Sequence, residues 1–127
     1  MNRTIAPTTI APPAANYAHA VLSESPSQLL YTSGAVPVAP DGSVPAGIAA
    51  QADVVWTNLG AILDEAGMAA ADIVSITTYV VAGEPLAPVM AARDRFMGDH
   101  VAASTLVTVP ALARPEWRLE IALVAAH

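Results

Sequence analysis

The stretch DIVSITTYVV (72–81) constrains this chain more than any other. It is rich in β-branched residues and is bounded by Gly83 and Pro85, so it is expected to run extended. Neither of its two alternating faces is strongly polar, and the same holds for STLVTV (104–109). A strand that is apolar on both sides has to be covered on both sides. Two segments of helical periodicity are available, enough for one face of a sheet. The other face is expected to pack on copies of the same chain.

The first helix is legible from its stripe. Ile48, Ala52, Val55, Leu59, Ile62 and Ala66 recur at the spacing of one helical face. Asp53, Thr57, Asp64 and Glu65 fall off that stripe, and Gly67 stands where a left-handed cap ends a helix. A second helix is predicted over 86–97, with Pro85 and Pro88 confined to its first turn and Gly98 closing it. Strands are predicted at NYAHAVLS (16–23) and QLLYTSG (28–34), joined as a hairpin through ESPS, and at 72–81, 104–109 and about 117–125. Residues 1–15, rich in Pro, Thr and Ala, are predicted to form an extended arm of a single domain spanning 1–127. The order β-β-α-β-α-β-β describes an α+β fold, a mixed sheet with both helices on one face.

Composition narrows the partners. Hydrophobic residues make up 54% of the chain and charged ones 13%, too apolar for disorder and too sparsely charged for an ordinary monomer. No run approaches the ~20 consecutive apolar residues that span a bilayer. The first residues carry a single Arg and are broken by Pro7, Pro12 and Pro13, which is not the pattern of a signal peptide. A cytoplasmic homo-oligomer is the expectation. The net charge is −6, and Arg3, Arg93, Arg95, Arg114 and Arg118 are the only cations beside histidine. Five scattered arginines do not make the basic footprint that phosphate binding needs, so nucleic acid is not an expected partner. Without cysteine there is no disulfide, thiolate nucleophile or Cys-type zinc site, and no two histidines stand at metal-ligand spacing.

Glu120 stands out as the candidate for chemistry. A carboxylate among apolar strand neighbours is costly unless paired or put to use. Two roles fit: a general base that positions a water, or an ion pair with Arg118, two residues back on the same strand face. Tyr17 and His19 point the same way along the first strand candidate, to lie over a ligand or simply along an edge. His100 is expected on a surface loop. Ser104, Thr105 and the pair Thr32-Ser33 offer hydroxyls without a nucleophile motif. Gly34 either lets backbone N–H groups approach a ligand or turns the chain. Met90, Phe96, Met97 and Trp56 read as core or subunit contacts.

With these residues in hand, the chain resembles the RidA/YjgF family of reactive-intermediate deaminases. The resemblance is clearest in YTSGAVPVAPDGSVPAGIAAQADVVWTNLGAILDEAGM (31–68), DIVSITTYVV (72–81) and RLEIALVA (118–125). It implies a chorismate-mutase-like α+β fold, a homotrimer with small-molecule clefts between subunits, and cofactor-free hydrolysis of imines and enamines. Carried over by position, the catalytic glutamate is Glu120, the cleft aromatic Tyr17 and the strand-end glycine Gly34. The arginine that grips a substrate carboxylate in active members does not carry over, because Ser104 stands in its place, and the usual helix-two asparagine falls on Met90. Ser104, Thr105, Leu106 and Met90 are then expected to line the pocket. Either Arg118 or Arg114 restores a cation to it, or the ligand is neutral or less acidic than an α-imino acid. A protein that keeps the fold and binds a ligand without catalysis is the alternative. Ribonuclease activity, sometimes attached to relatives, is disfavoured by the charge.

Overall fold

The computed structural model describes residues 1–127. In chain order the elements are β1 (Asn2–Ile5), β2 (Ala20–Ser23), β3 (Leu29–Tyr31), α1 (Ile48–Glu65), β4 (Ile73–Val81), α2 (Ala87–Met97), β5 (Ala103–Val109) and β6 (Leu119–Ala126). A single 3-10 turn, Ala70–Asp72, leads into β4. The main sheet has the order β3-β6-β4-β5, with β4 and β5 parallel and the other pairings antiparallel. The β4-α2-β5 connection is the crossover that parallel neighbours require, and it lays α2 on the sheet.

One face of this sheet carries the core. Ile76 and Val80 of β4 pair in register with Leu123 and Leu119 of β6, and Ile121 lies between them on the same side. Val55, Leu59 and Leu63 of α1 and Val89, Ala92 and Met97 of α2 close over them. Trp56 and Phe96 stack between the helices with ring centroids 4.9 Å apart. Gly60 makes room for this, since a Cβ there would meet Phe96 at 3.2 Å. α1 ends as predicted: Gly67 has φ 70°, and the N–H groups of Gly67 and Met68 donate to Asp64 O and Leu63 O.

Three expectations need correction. The segment 1–15 is not an arm throughout, because Asn2–Ile5 pairs antiparallel with Ala20–Ser23 as a separate ribbon. The predicted hairpin between 16–23 and 28–34 is absent: β2 takes β1 as its partner, and β3 takes β6. Both strands are also shorter than predicted. A short apolar strand does not encode its partner, and two more distant segments outcompete the near one. On α1, Ile62 is 40% exposed and Leu63 takes its place in the core. The 3.6-residue turn drifts off a strict stripe over five turns.

The opposite face of the main sheet has no helix over it. By strand alternation it carries Thr77 and Tyr79, Thr105 and Val107, and Glu120, Ala122 and Val124. Tyr31 at its edge is 71% exposed and Val107 is 41% exposed.

Candidate functional site

Glu120 lies on this bare face, directly across from Tyr79 and two strands from Val107. Its flanking residues Leu119 and Ile121 point into the core, which fixes the side to which Glu120 projects. The carboxylate folds over Gly34, where β3 continues as an isolated bridge from Ala35 to Ile121. A Cβ on Gly34 would stand 2.6 Å from Glu120 Cδ and 2.7 Å from Cγ. Gly34 does not have a positive φ, so its glycine serves this close approach and not a turn. This contact is with a side chain of the same chain, a use that neither of the two roles considered for Gly34 covers.

The ion pair between Glu120 and Arg118 does not form. Arg118 Nε donates to Glu84 Oε1 at 2.7 Å, and Glu120 takes part in none of the chain's ion pairs. Arg118 is also held through its backbone, whose N–H donates to Gln51 Oε1 at 2.9 Å. Gln51 is itself buried, and its amide donates to Pro45 O and Glu116 O at 3.0 and 2.8 Å. One α1 side chain thus ties the entry of β6 to the loop before α1. Neither Glu84, Gln51 nor Tyr79 was singled out from the sequence. Gln51 sits within the quoted helix as a polar residue on its buried side, the one signal that could have marked it. Glu84 and Tyr79 acquire their neighbours only through strand pairing.

The remaining predicted residues gather elsewhere. Ala18 bridges in parallel to Ala103 at the start of β5, which sets Tyr17 at the level of Ala102 and His19 at that of Ser104. The Tyr17 hydroxyl accepts from Ala14 N at 3.3 Å, and its ring meets His19 edge-on at 6.2 Å. His19 donates to Ala11 O and His100 to Ile73 O, so both rings are engaged by backbone. Ser104 and Leu106 pair with Ile76 and Thr78, hence face the helices; Leu106 packs against the core. Thr105 alone of the three shares Glu120's side. Met90 is half-buried on α2. Arg114 lies over the Trp117 ring at 5.9 Å, in the loop before β6. Within one chain, then, Tyr17 and Ser104 lie at the β5 edge of the sheet, with β4 between β5 and the β6 strand that carries Glu120.

The family model described as Endoribonuclease L-PSP matches residues 8–127. The chain belongs to this family, the RidA/YjgF family. A 2-iminobutanoate/2-iminopropanoate deaminase of Escherichia coli K12 is 37% identical over 101 residues, covering 76% of this chain and 78% of that protein. A RutC family protein of Haemophilus influenzae is 44% identical over 73 residues, which span 57% of this chain and 56% of that relative. The crystal structure of the Rid family protein YyfB from Yersinia pestis superposes with a TM-score of 0.88 at 33% identity, over 99% of this chain and 98% of that one. The RidA-like α+β architecture is therefore the observed one. In this chain the glutamate and the glycine are in contact, and the β5 serine faces the helices.

Proposed function

We propose that the chain is a cytoplasmic homotrimeric deaminase that hydrolyses an imine or enamine without a cofactor, with Glu120 as general base. The observation that carries this is the state of Glu120: a half-buried carboxylate laid over Gly34 and unpaired, although Arg118 stands two residues away on the same face. A structural ion pair would have closed on its nearest cation. A carboxylate kept free beside a bare sheet face is placed to bind and deprotonate water. The 37% identical deaminase supports the reaction class.

The chemistry asks only for water. An enamine first takes a proton at carbon to become the iminium. Water attacks the iminium carbon while Glu120 Oε accepts one of its protons, giving a carbinolamine. Glu120 then returns the proton to nitrogen, the C–N bond breaks as the hydroxyl proton passes to the departing ammonia, and ammonium leaves behind a carbonyl product. Thr105 on the same face supplies a hydroxyl, and Gly34 keeps the base in place.

Assembly follows from the same surface. The helix-free face exposes Tyr31 and Val107, and apolar surface of this kind is buried by association. Tyr17, Ser104 and Met90 lie apart from Glu120 within one chain, so a cleft that uses all of them draws on two copies. Replacing Glu120 by Gln tests the central claim: hydrolysis should fall by about 10²–10⁴-fold, the usual worth of a general base. Retained hydrolysis would remove Glu120 as the base, whereas a wild type that hydrolyses no imine or enamine would leave a ligand-binding protein of the same fold.

A further inference from the structure

Arg118 immediately precedes β6 and by alternation projects to the side of Glu120, yet each is held by something other than the other. Glu84, in the turn after β4, takes Arg118 Nε at 2.7 Å. Gly34 makes room for the Glu120 carboxylate. The three charges together sum to −1. Three of the other four arginines are paired as well. Arg3 pairs with Glu24, Arg93 with Asp94 and Arg95 with Asp53, at 3.7, 3.0 and 2.9 Å. Arg114 alone lacks a carboxylate partner and lies over Trp117. A substrate carboxylate approaching Glu120 therefore meets a guanidinium already engaged by one acid and flanked by another.

We infer that Glu84 sets the charge class of the substrate. By engaging Arg118, it leaves beside Glu120 a site that favours a cationic iminium without a carboxylate, the kind formed when a primary amine rather than an amino acid is oxidised. This deepens the deaminase function proposed above and rests on it. The free Glu120 carboxylate attracts the positive nitrogen, while an α-imino acid brings a second negative charge into a site with net negative charge. The reaction keeps its balance: water adds to the iminium carbon as Glu120 accepts one water proton, Glu120 returns that proton to the carbinolamine nitrogen, and the C–N bond breaks as the hydroxyl proton is lost, so that an aldehyde and ammonium leave and Glu120 is again a carboxylate. Glu84 acts through Arg118 and is a positioning residue.

Two imines test the inference on the intact protein. Propan-1-imine is generated from propylamine by an amine oxidase, and 2-iminopropanoate from alanine by an amino-acid oxidase, each in competition with semicarbazide. The wild type should favour the amine-derived imine in kcat/KM by at least about tenfold, the worth of one charge-assisted contact. Glu84→Gln should raise kcat/KM for 2-iminopropanoate by a similar factor, mainly through a lower KM, and adding Arg118→Met should cancel that gain. A wild type that favours 2-iminopropanoate overturns the inference while leaving the deaminase function intact, as does a folded Glu84→Gln with an unchanged substrate ratio. Acceleration of neither imine overturns both. Should Glu84→Gln fail to fold, the wild-type comparison of the two imines still decides.

Discussion

The contact between Gly34 and Glu120 separates function from stability with a single methyl group. In Gly34→Ala the new Cβ would overlap Glu120 Oε2 and sit 2.6 Å from Cδ, and ordinary carbon contacts begin near 3.5 Å, so one partner has to move by at least ~1 Å. The atoms in the way belong to the end of a flexible side chain, and Gly34 has no positive φ to strain an alanine. Glu120 gives way, at about 0.5–1.5 kcal/mol if it leaves its rotamer well. Against this, alanine lowers the entropy of the unfolded chain, a gain of about 0.4–1 kcal/mol. Global stability should therefore change by less than about 1 kcal/mol. Activity should not survive so well, because a catalytic group displaced by ~1 Å loses on the order of 100-fold. Urea unfolding reads the first quantity and semicarbazide-competed imine hydrolysis the second. Full activity in Gly34→Ala, alongside an inactive Glu120→Gln, would refute the claim that this contact positions the base.

Other consequences can be checked separately. Gln51→Ala removes three hydrogen bonds around the entry of β6 and should cost about 2–4 kcal/mol in urea unfolding, with a loss under about 0.5 kcal/mol counting against the role assigned to Gln51. Val107→Arg puts a charge on the bare sheet face and should shift the protein toward monomer in sedimentation velocity; an unchanged assembly would mean that the interface lies elsewhere. Burial works against the Asp72 carboxylate, but hydrogen bonds from His127 and Ala69 N, with the charges of His127 and His100, outweigh it and hold its pKa below the usual carboxylate range. Stability from a depressed pKa is present above the unfolded value near ~3.9 and is lost as pH falls through the folded one. Asp72→Asn should accordingly lower the melting temperature at pH 6, and the difference from wild type should shrink toward pH 3.

Both helices and the later strands were legible because their signals are local. The α1 stripe, its closing Gly67, the β-branched run 72–81 and the alternation around Leu119–Leu123 each lie within one element. The weakly polar character of both faces of 72–81 led to the expectation of helices on one face only, and the helices do cover one face. The hairpin failed for the opposite reason. Nothing within 16–34 records that Asn2–Ile5 is a better partner for β2, or that β3 belongs to β6 about ninety residues away.

The sequence by itself determined the fold class, the family and the candidate base, since these depend on periodicity, residue type and motif order along the chain. Only the tertiary structure decided what Glu120 touches. Arg118 is its nearest cation in sequence and shares its strand face, so spacing alone favours a pair. Folding brings Glu84 from the turn after β4 onto Arg118 and brings Gly34 under Glu120. Contact energies fall off within a few ångströms, so the residue that closes the gap prevails over the one that is near along the chain.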